Sequence, residues 1–186
     1  KNIKGEEISD SSLVGTGTTI NMITKDSVLK ELRAFNSNGS PVIVHTSLKA
    51  VGEIDGGAEI LLDALIEHFT KDGGILCVPA HTWKTLKLDL RKNESCIGTL
   101  PIIATKHPDG VRSLHPTHSM VVFGDKEKVF EFVGNEKNQC RNQCWGTLRK
   151  INVRFFLQMS YGRDGIFFGG VPGWKTKRRK SGRNYE

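Results

Sequence analysis

No stretch of this chain approaches the roughly 18 consecutive apolar residues that mark a membrane-spanning helix, so a helical membrane protein is excluded. Cysteine is sparse: Cys77, Cys96, Cys140 and Cys144 are the whole complement. Four thiols scattered through 186 residues do not read as a disulfide framework, and a cytoplasmic protein with free thiols is expected. The first residues are polar and carry no apolar core, so no signal peptide is expected. No segment repeats itself. Hydrophobic residues at 37% exclude a wholly disordered chain, and the length suits one domain with a closed core.

The body of the chain is also nearly neutral. The formal charge is +7, but residues 174–186 hold six basic side chains (Lys175, Lys177, Arg178, Arg179, Lys180, Arg183) against Glu186, which accounts for +5 of it. A global argument for nucleic-acid binding therefore fails, and only a local one through that tail remains.

Hydrophobic patterning divides the rest. Residues 1–21 read as a poorly ordered leader, 22–173 as one folded unit, and 174–186 as a disordered basic tail. Helices are expected near 25–36, 58–69, 100–107 and from Asp125 to Val133, and strands at 42–46, 75–79, 120–123 and 153–157. Residues 80–98 and 134–144 read as long loops. Helix and strand alternation points to an α/β fold with a largely parallel sheet. Ligands of such sheets sit beyond the carboxyl ends of the strands. Three segments lie there: His45 to Gly57, Pro79 to Thr82, and the residues after Leu157.

Four patterns bear on chemistry. In His-Thr-Ser-Leu-Lys-Ala-Val-Gly-Glu-Ile-Asp-Gly-Gly (45–57), Thr46 and Ser47 offer hydroxyls, and Gly56 and Gly57 precede a helix whose N-terminus suits an anion such as a pyrophosphate. A plain strand-to-helix connection with turn glycines explains the same residues. Arg112-Ser-Leu-His-Pro-Thr-His-Ser119 gathers hydroxyls, an arginine and two imidazoles. His115 and His118 suit a general base and its orienter, or phosphate contacts made with Arg112; a polar loop bonded to its own backbone is the alternative. Their spacing is poor for metal ligands. Cys140 and Cys144 lack the second half of a zinc site. The basic tail has Trp174 and Tyr185 but no interleaved aromatics.

Taken together, the segments 42–69 (VIVHTSLKAVGEIDGGAEILLDALIEHF), 73–83 (GGILCVPAHTW), 96–124 (CIGTLPIIATKHPDGVRSLHPTHSMVVFG) and CWGTL at 144–148 resemble the aminoglycoside 3-N-acetyltransferase (antibiotic N-acetyltransferase) family, in order and spacing, over about residues 22–163. The resemblance implies a three-layer α/β/α sandwich, acetyl-CoA as donor, no metal, and as acceptor the 3-amino group of an aminoglycoside antibiotic, hence a role in resistance, or another amine. It implies that Thr46, Ser47, Leu48, Gly52, Gly56 and Gly57 lie against CoA, with Ser113, Thr117 and Ser119 near its pantetheine or phosphates. The family's histidine is expected in a segment resembling G-R-N-T-x-x-H. Here that segment is Gly162-Arg-Asp-Gly-Ile-Phe-Phe168, so Phe168 stands at the histidine's place. His115 and His118 are then the candidates for catalysis.

The family's C-terminal part is expected to be altered or truncated, leaving the sandwich incomplete. Phe155, Phe156, Phe167 and Phe168 would form an uncovered apolar surface, for which homo-oligomerisation is the expected outcome. The alternatives to an active transferase are a CoA-binding remnant that does not turn over and a nucleic-acid-binding protein using the tail.

Overall fold

The structure is a computed structural model. It describes residues 22–35, 37–83, 87, 89, 92–133, 144 and 148, and the backbone of 155–162 and 165–170. The leader, the basic tail and the loop through Cys140 lie outside the described residues.

Elements follow as α1 (Lys25–Leu32), β1 (Val42–Thr46), α2 (Leu48–Val51), α3 (Gly57–Thr70), β2 (Leu76–Pro79), α4 (Thr99–Lys106), β3 (Val111–Arg112), β4 (Met120–Phe123), α5 (Lys126–Val133), β5 (Phe155–Gly162) and β6 (Gly165–Gly170). Local chemistry sets several ends. Thr24 and Ser27 form a reciprocal capping box on α1, each side chain serving the other's backbone N–H. The Asp125 carboxylate accepts from the amides of Glu127 (3.1 Å) and Lys128 (3.3 Å), opening α5.

One six-stranded sheet runs in the order β3-β4-β2-β1-β5-β6. The expected parallel pairing holds at its centre, where β1 lies parallel to both β2 and β5. Both flanks are antiparallel, β2 to β4, β4 to β3 and β5 to β6. Short connections explain the flanks: β3 returns into β4, and β5 into β6, without a crossover helix.

Alternating side chains place two cores on the sheet. Val42, Val44, Leu76, Val78, Val121 and Phe123 face α1, α3 and α4, meeting Val28, Leu32, Leu61, Leu65 and Leu100. Ile43, Cys77, Met120 and Val122 face the other way, onto Val129, Phe132 and Val133 of α5 and onto Cys144 and Leu148. Each fully buried aliphatic side chain stabilises the fold by roughly 1.5–3 kcal/mol. The result is the three-layer sandwich expected, with helices on both faces.

Topology then gathers one edge. β1, β2, β3 and β5 end there, and β4 and β6 begin there. β5 outruns its neighbour: Thr46, the last residue of β1, pairs with Met159, and β5 continues to Gly162. The last residues of β5 therefore run past the end of β1 on the side that carries the loops of β1, β2 and β4.

Candidate functional site

Four of the chain's six histidines lie at this edge: His45 at the end of β1, His81 after β2, and His115 and His118 before β4. The His81 and His118 rings are 4.7 Å apart, His115 and His118 5.5 Å. Trp83 closes the group, 5.1 Å from His81 and 6.0 Å from His118, with 58% of its surface exposed. His81 is buried at 8% exposure, whereas His118 is exposed. Burial pushes His81 down to about 4, and the neighbouring His118, His45 and His115 push it in the same direction. Burial also lowers His45, and burial followed by His118 lowers His115.

The loops that carry these rings are built by hydrogen bonds from polar side chains. Thr82 donates its amide to Thr117 O (3.1 Å) and its hydroxyl to Pro116 O (2.9 Å), joining the β2 loop to the β4 loop. Arg112 braces three segments. Its Nε donates to Ser119 Oγ (3.1 Å), and its terminal nitrogens donate to Asn93 O (2.6 Å) and Ala80 O (3.2 Å). Ser119 in turn donates to Ala80 O at 2.6 Å. The guanidinium thus holds three segments of the protein together. Asn93, Ser95 and Cys96 join the same scaffold, since Cys96 N and Ser95 Oγ donate to His81 O.

The sequence-predicted residues fall into two groups. Thr117 and His118 reach the edge, with Thr117 Oγ1 2.7 Å from His118 Nδ1. His115 is next to them, its Nδ1 accepting from the amides of His118 (2.9 Å) and Thr117 (3.2 Å). Ser113 and Ser119 point inward. Ser113 is 1% exposed and its hydroxyl accepts from Met120 N; Ser119 is fully buried.

Thr46, Ser47, Leu48, Gly52, Gly56 and Gly57 lie on the β1 side of the edge. Residues 48–51 form α2, with Ser47 as its N-cap. Ile23 pairs with Ile54 and steadies the loop that follows. Gly56 sits in the left-handed region at φ 78° as the N-cap of α3, where no side chain caps the first amides. Thr46 Oγ1 is buried and has no hydrogen-bond partner among the described residues.

Sequence reasoning marked Pro79 to Thr82 as a segment but did not single out His81, and it did not reach Trp83. Both belong to the segment that follows β2, and the proline that closes that strand was the available signal. Phe168, which the sequence resemblance sets at the place expected for a histidine, lies in β6 opposite Met159, which itself pairs with Thr46. Among the described residues, no group of three His, Cys, Asp or Glu side chains is placed to hold a metal ion, and no helix is long and apolar enough to cross a membrane.

The family profile of aminoglycoside 3-N-acetyltransferases matches residues 43–157, more than half of the chain. The chain belongs to this family. A curated relative, the SPbeta prophage-derived aminoglycoside N(3')-acetyltransferase-like protein YokD of Bacillus subtilis (strain 168), is 27% identical over 132 residues, or 57% of this chain and 48% of that protein. The chain thus spans about half the length of the curated relative it matches.

Among solved structures, AAC-IIIb in its binary complex with CoASH superposes with a TM-score of 0.61 at 15% identity, covering 83% of this chain and 77% of the other. A histidine-to-alanine mutant of AAC(3)-IVa in complex with apramycin gives a TM-score of 0.64 at 17% identity, covering 77% and 59%. These likenesses establish a shared fold.

Proposed function

We propose that this member of the 3-N-acetyltransferase family binds acetyl-CoA across the β1 side of the edge and transfers its acetyl group to the 3-amino group of an aminoglycoside. The observation that carries the reading is the juxtaposition of the histidine cluster with the His45 to Gly57 loop on one sheet edge. A donor site and a proton acceptor are both needed for acetyl transfer to an amine, and the topology brings candidates for both together.

The residues present fit the donor. Thr46 offers a buried hydroxyl that a ligand would complete, Ser47 and Leu48 follow it, and Gly52 frees the loop. Gly56 and Gly57 enter α3 with the Gly57 amide bound to Ile54 O, and the helix amides that follow suit an anion. A neighbour with this fold is described with CoASH bound, and others with sisomicin or apramycin.

An amine nucleophile must lose a proton as it attacks the thioester carbonyl, and a neutral imidazole is suited to take it. His118 is the residue we assign. It is exposed, and Thr117 lies within hydrogen-bond distance of its Nδ1. His81, held to about 4, stays neutral at neutral pH and accepts a proton poorly. Its role is to keep the cluster short of positive charge. Ser113, Ser119 and Arg112 hold the loops rather than the ligand.

A second reading is a donor-binding protein without turnover, favoured by Phe168, which cannot take a proton. Two measurements separate the readings. A thermal-shift titration with acetyl-CoA, with ATP and AMP as controls, tests the donor site. An acetyl-transfer assay with sisomicin and apramycin as acceptors tests turnover. Stabilisation with thiol release that His118→Ala abolishes supports the transferase; stabilisation without thiol release supports the second reading.

A further inference from the structure

We infer that His115 is a positioning residue: its Nδ1 takes the part of an Asx-turn oxygen, holding the Thr117 and His118 amides and thereby setting where the His118 ring stands. Nδ1 accepts from His118 N at 2.9 Å and from Thr117 N at 3.2 Å. These donors are three and two residues onward, the pattern in which an Asn or Asp side chain closes a turn through its δ oxygen. Nδ1 and Oδ1 are the same number of bonds from the backbone, so the imidazole can replace the amide or carboxylate.

The chemistry of the ring excludes a second duty. A neutral imidazole has one nitrogen with a lone pair and one with a proton. Two amide donors claim the lone pair of Nδ1, so Nε2 carries the proton. While it holds the turn, His115 has no basic nitrogen left to accept a proton from a substrate.

The surroundings show why the turn needs holding. Pro116 follows directly and lacks an N–H of its own. Its carbonyl and that of Thr117 are already taken by Thr82, so the turn is clamped to the β2 loop on its outer side and to His115 on its inner side. Thr117 and His118, the pair that meets at 2.7 Å, sit between the two clamps.

The inference rests on the transferase reading only for what His118 then does; the turn itself is tested without ligand. The variants are His115→Asn, which keeps an acceptor at the δ position, and His115→Gln, which moves it one bond farther out. Amide hydrogen exchange at Thr117 and His118 is measured in the full chain, with the thermal melt as a check on folding.

His115→Asn is expected to keep the protection of the unmodified protein, and His115→Gln to exchange on the order of tenfold faster at both amides. Equal protection in the two variants, or loss of it in His115→Asn, would overturn the inference. Where acetyl transfer is measurable, His115→Asn should retain it, since asparagine holds the turn but cannot serve as a base. Loss of transfer with both amides still protected would return His115 to a direct role and also overturn it. A chain with no transferase activity leaves the exchange result unchanged, so the two readings fail separately.

Discussion

His81 and His118 lie with ring centroids 4.7 Å apart, one imidazole buried after β2 and the other exposed before β4. Burial penalises the charged form of the His81 ring first, and the neighbouring His118 adds to that penalty. The folded-state value of His81 falls from an ordinary 6.5 to about 4.

The sign of the resulting pH dependence follows from linkage. The unfolded chain binds a proton at His81 below about 6.5, which the folded chain refuses until about pH 4. The stability that depends on neutral His81 is therefore complete above pH 6.5 and lost as the pH falls toward 4. A melting temperature followed from pH 7.5 to 4.5 should decline across that interval, and His81→Asn should decline less. An identical decline in the variant would remove His81 as the cause.

Arg112 should matter for stability through the shape of its donor group. Arg112→Lys keeps the charge but cannot reach Ser119, Asn93 and Ala80 together, and is expected to cost about 1–3 kcal/mol in urea unfolding. A lysine variant as stable as the unmodified protein would show that the brace contributes nothing.

Thiol reactivity should sort by burial. Burial pushes the Cys77 thiol well above its usual value and Cys144 up to about 11, while Cys96 is exposed. A thiol reagent followed by peptide mass mapping should label Cys96 in the native protein and reach Cys77 and Cys144 only on unfolding. Native labelling of Cys77 would contradict the described core.

Gly56 ties backbone conformation to the proposed donor site. At φ 78°, a side chain is strained, and a Cβ there would lie 2.5 Å from Ile60 Cγ1. Gly56→Ala should cost about 1–2 kcal/mol and weaken any acetyl-CoA-dependent stabilisation, because the entry to α3 would shift. Calorimetry of the variant with and without acetyl-CoA reads both effects.

The parts of the fold that were legible in sequence are those where burial writes a strong pattern. Val42 to Thr46 and Met120 to Phe123 are short β-branched or apolar runs and appear as strands over those very residues. The helix read over 58–69 is observed as Gly57–Thr70. What escaped notice is short or glycine-rich. β3 is two residues, Val111 and Arg112, in a polar segment, and β6 carries glycine at both ends, so neither shows an alternation long enough to read. α2 was hidden inside the His45 to Gly57 connection, since four residues cannot display a helical period.

The site was legible as segments more than as residues. The strand-end rule marked the loops after β1 and β2, yet His81 and Trp83 were not singled out, because their importance comes from ring contacts with His118 across 37 and 35 positions of sequence separation. Arg112, Ser113 and Ser119 looked available for a ligand, and the folded chain uses their polar atoms to join its own loops. Polar composition announces hydrogen bonding; only the fold says with what.

The most direct test of the central claim is the thermal shift with acetyl-CoA. At a hundred times its dissociation constant, a ligand confined to the folded state stabilises it by roughly 2.7 kcal/mol. The account predicts a rise in melting temperature with acetyl-CoA that ATP and AMP at the same concentration do not reproduce. A cooperative melt that acetyl-CoA leaves unmoved would contradict it, because the fold would then stand without the donor site that the proposed reaction needs.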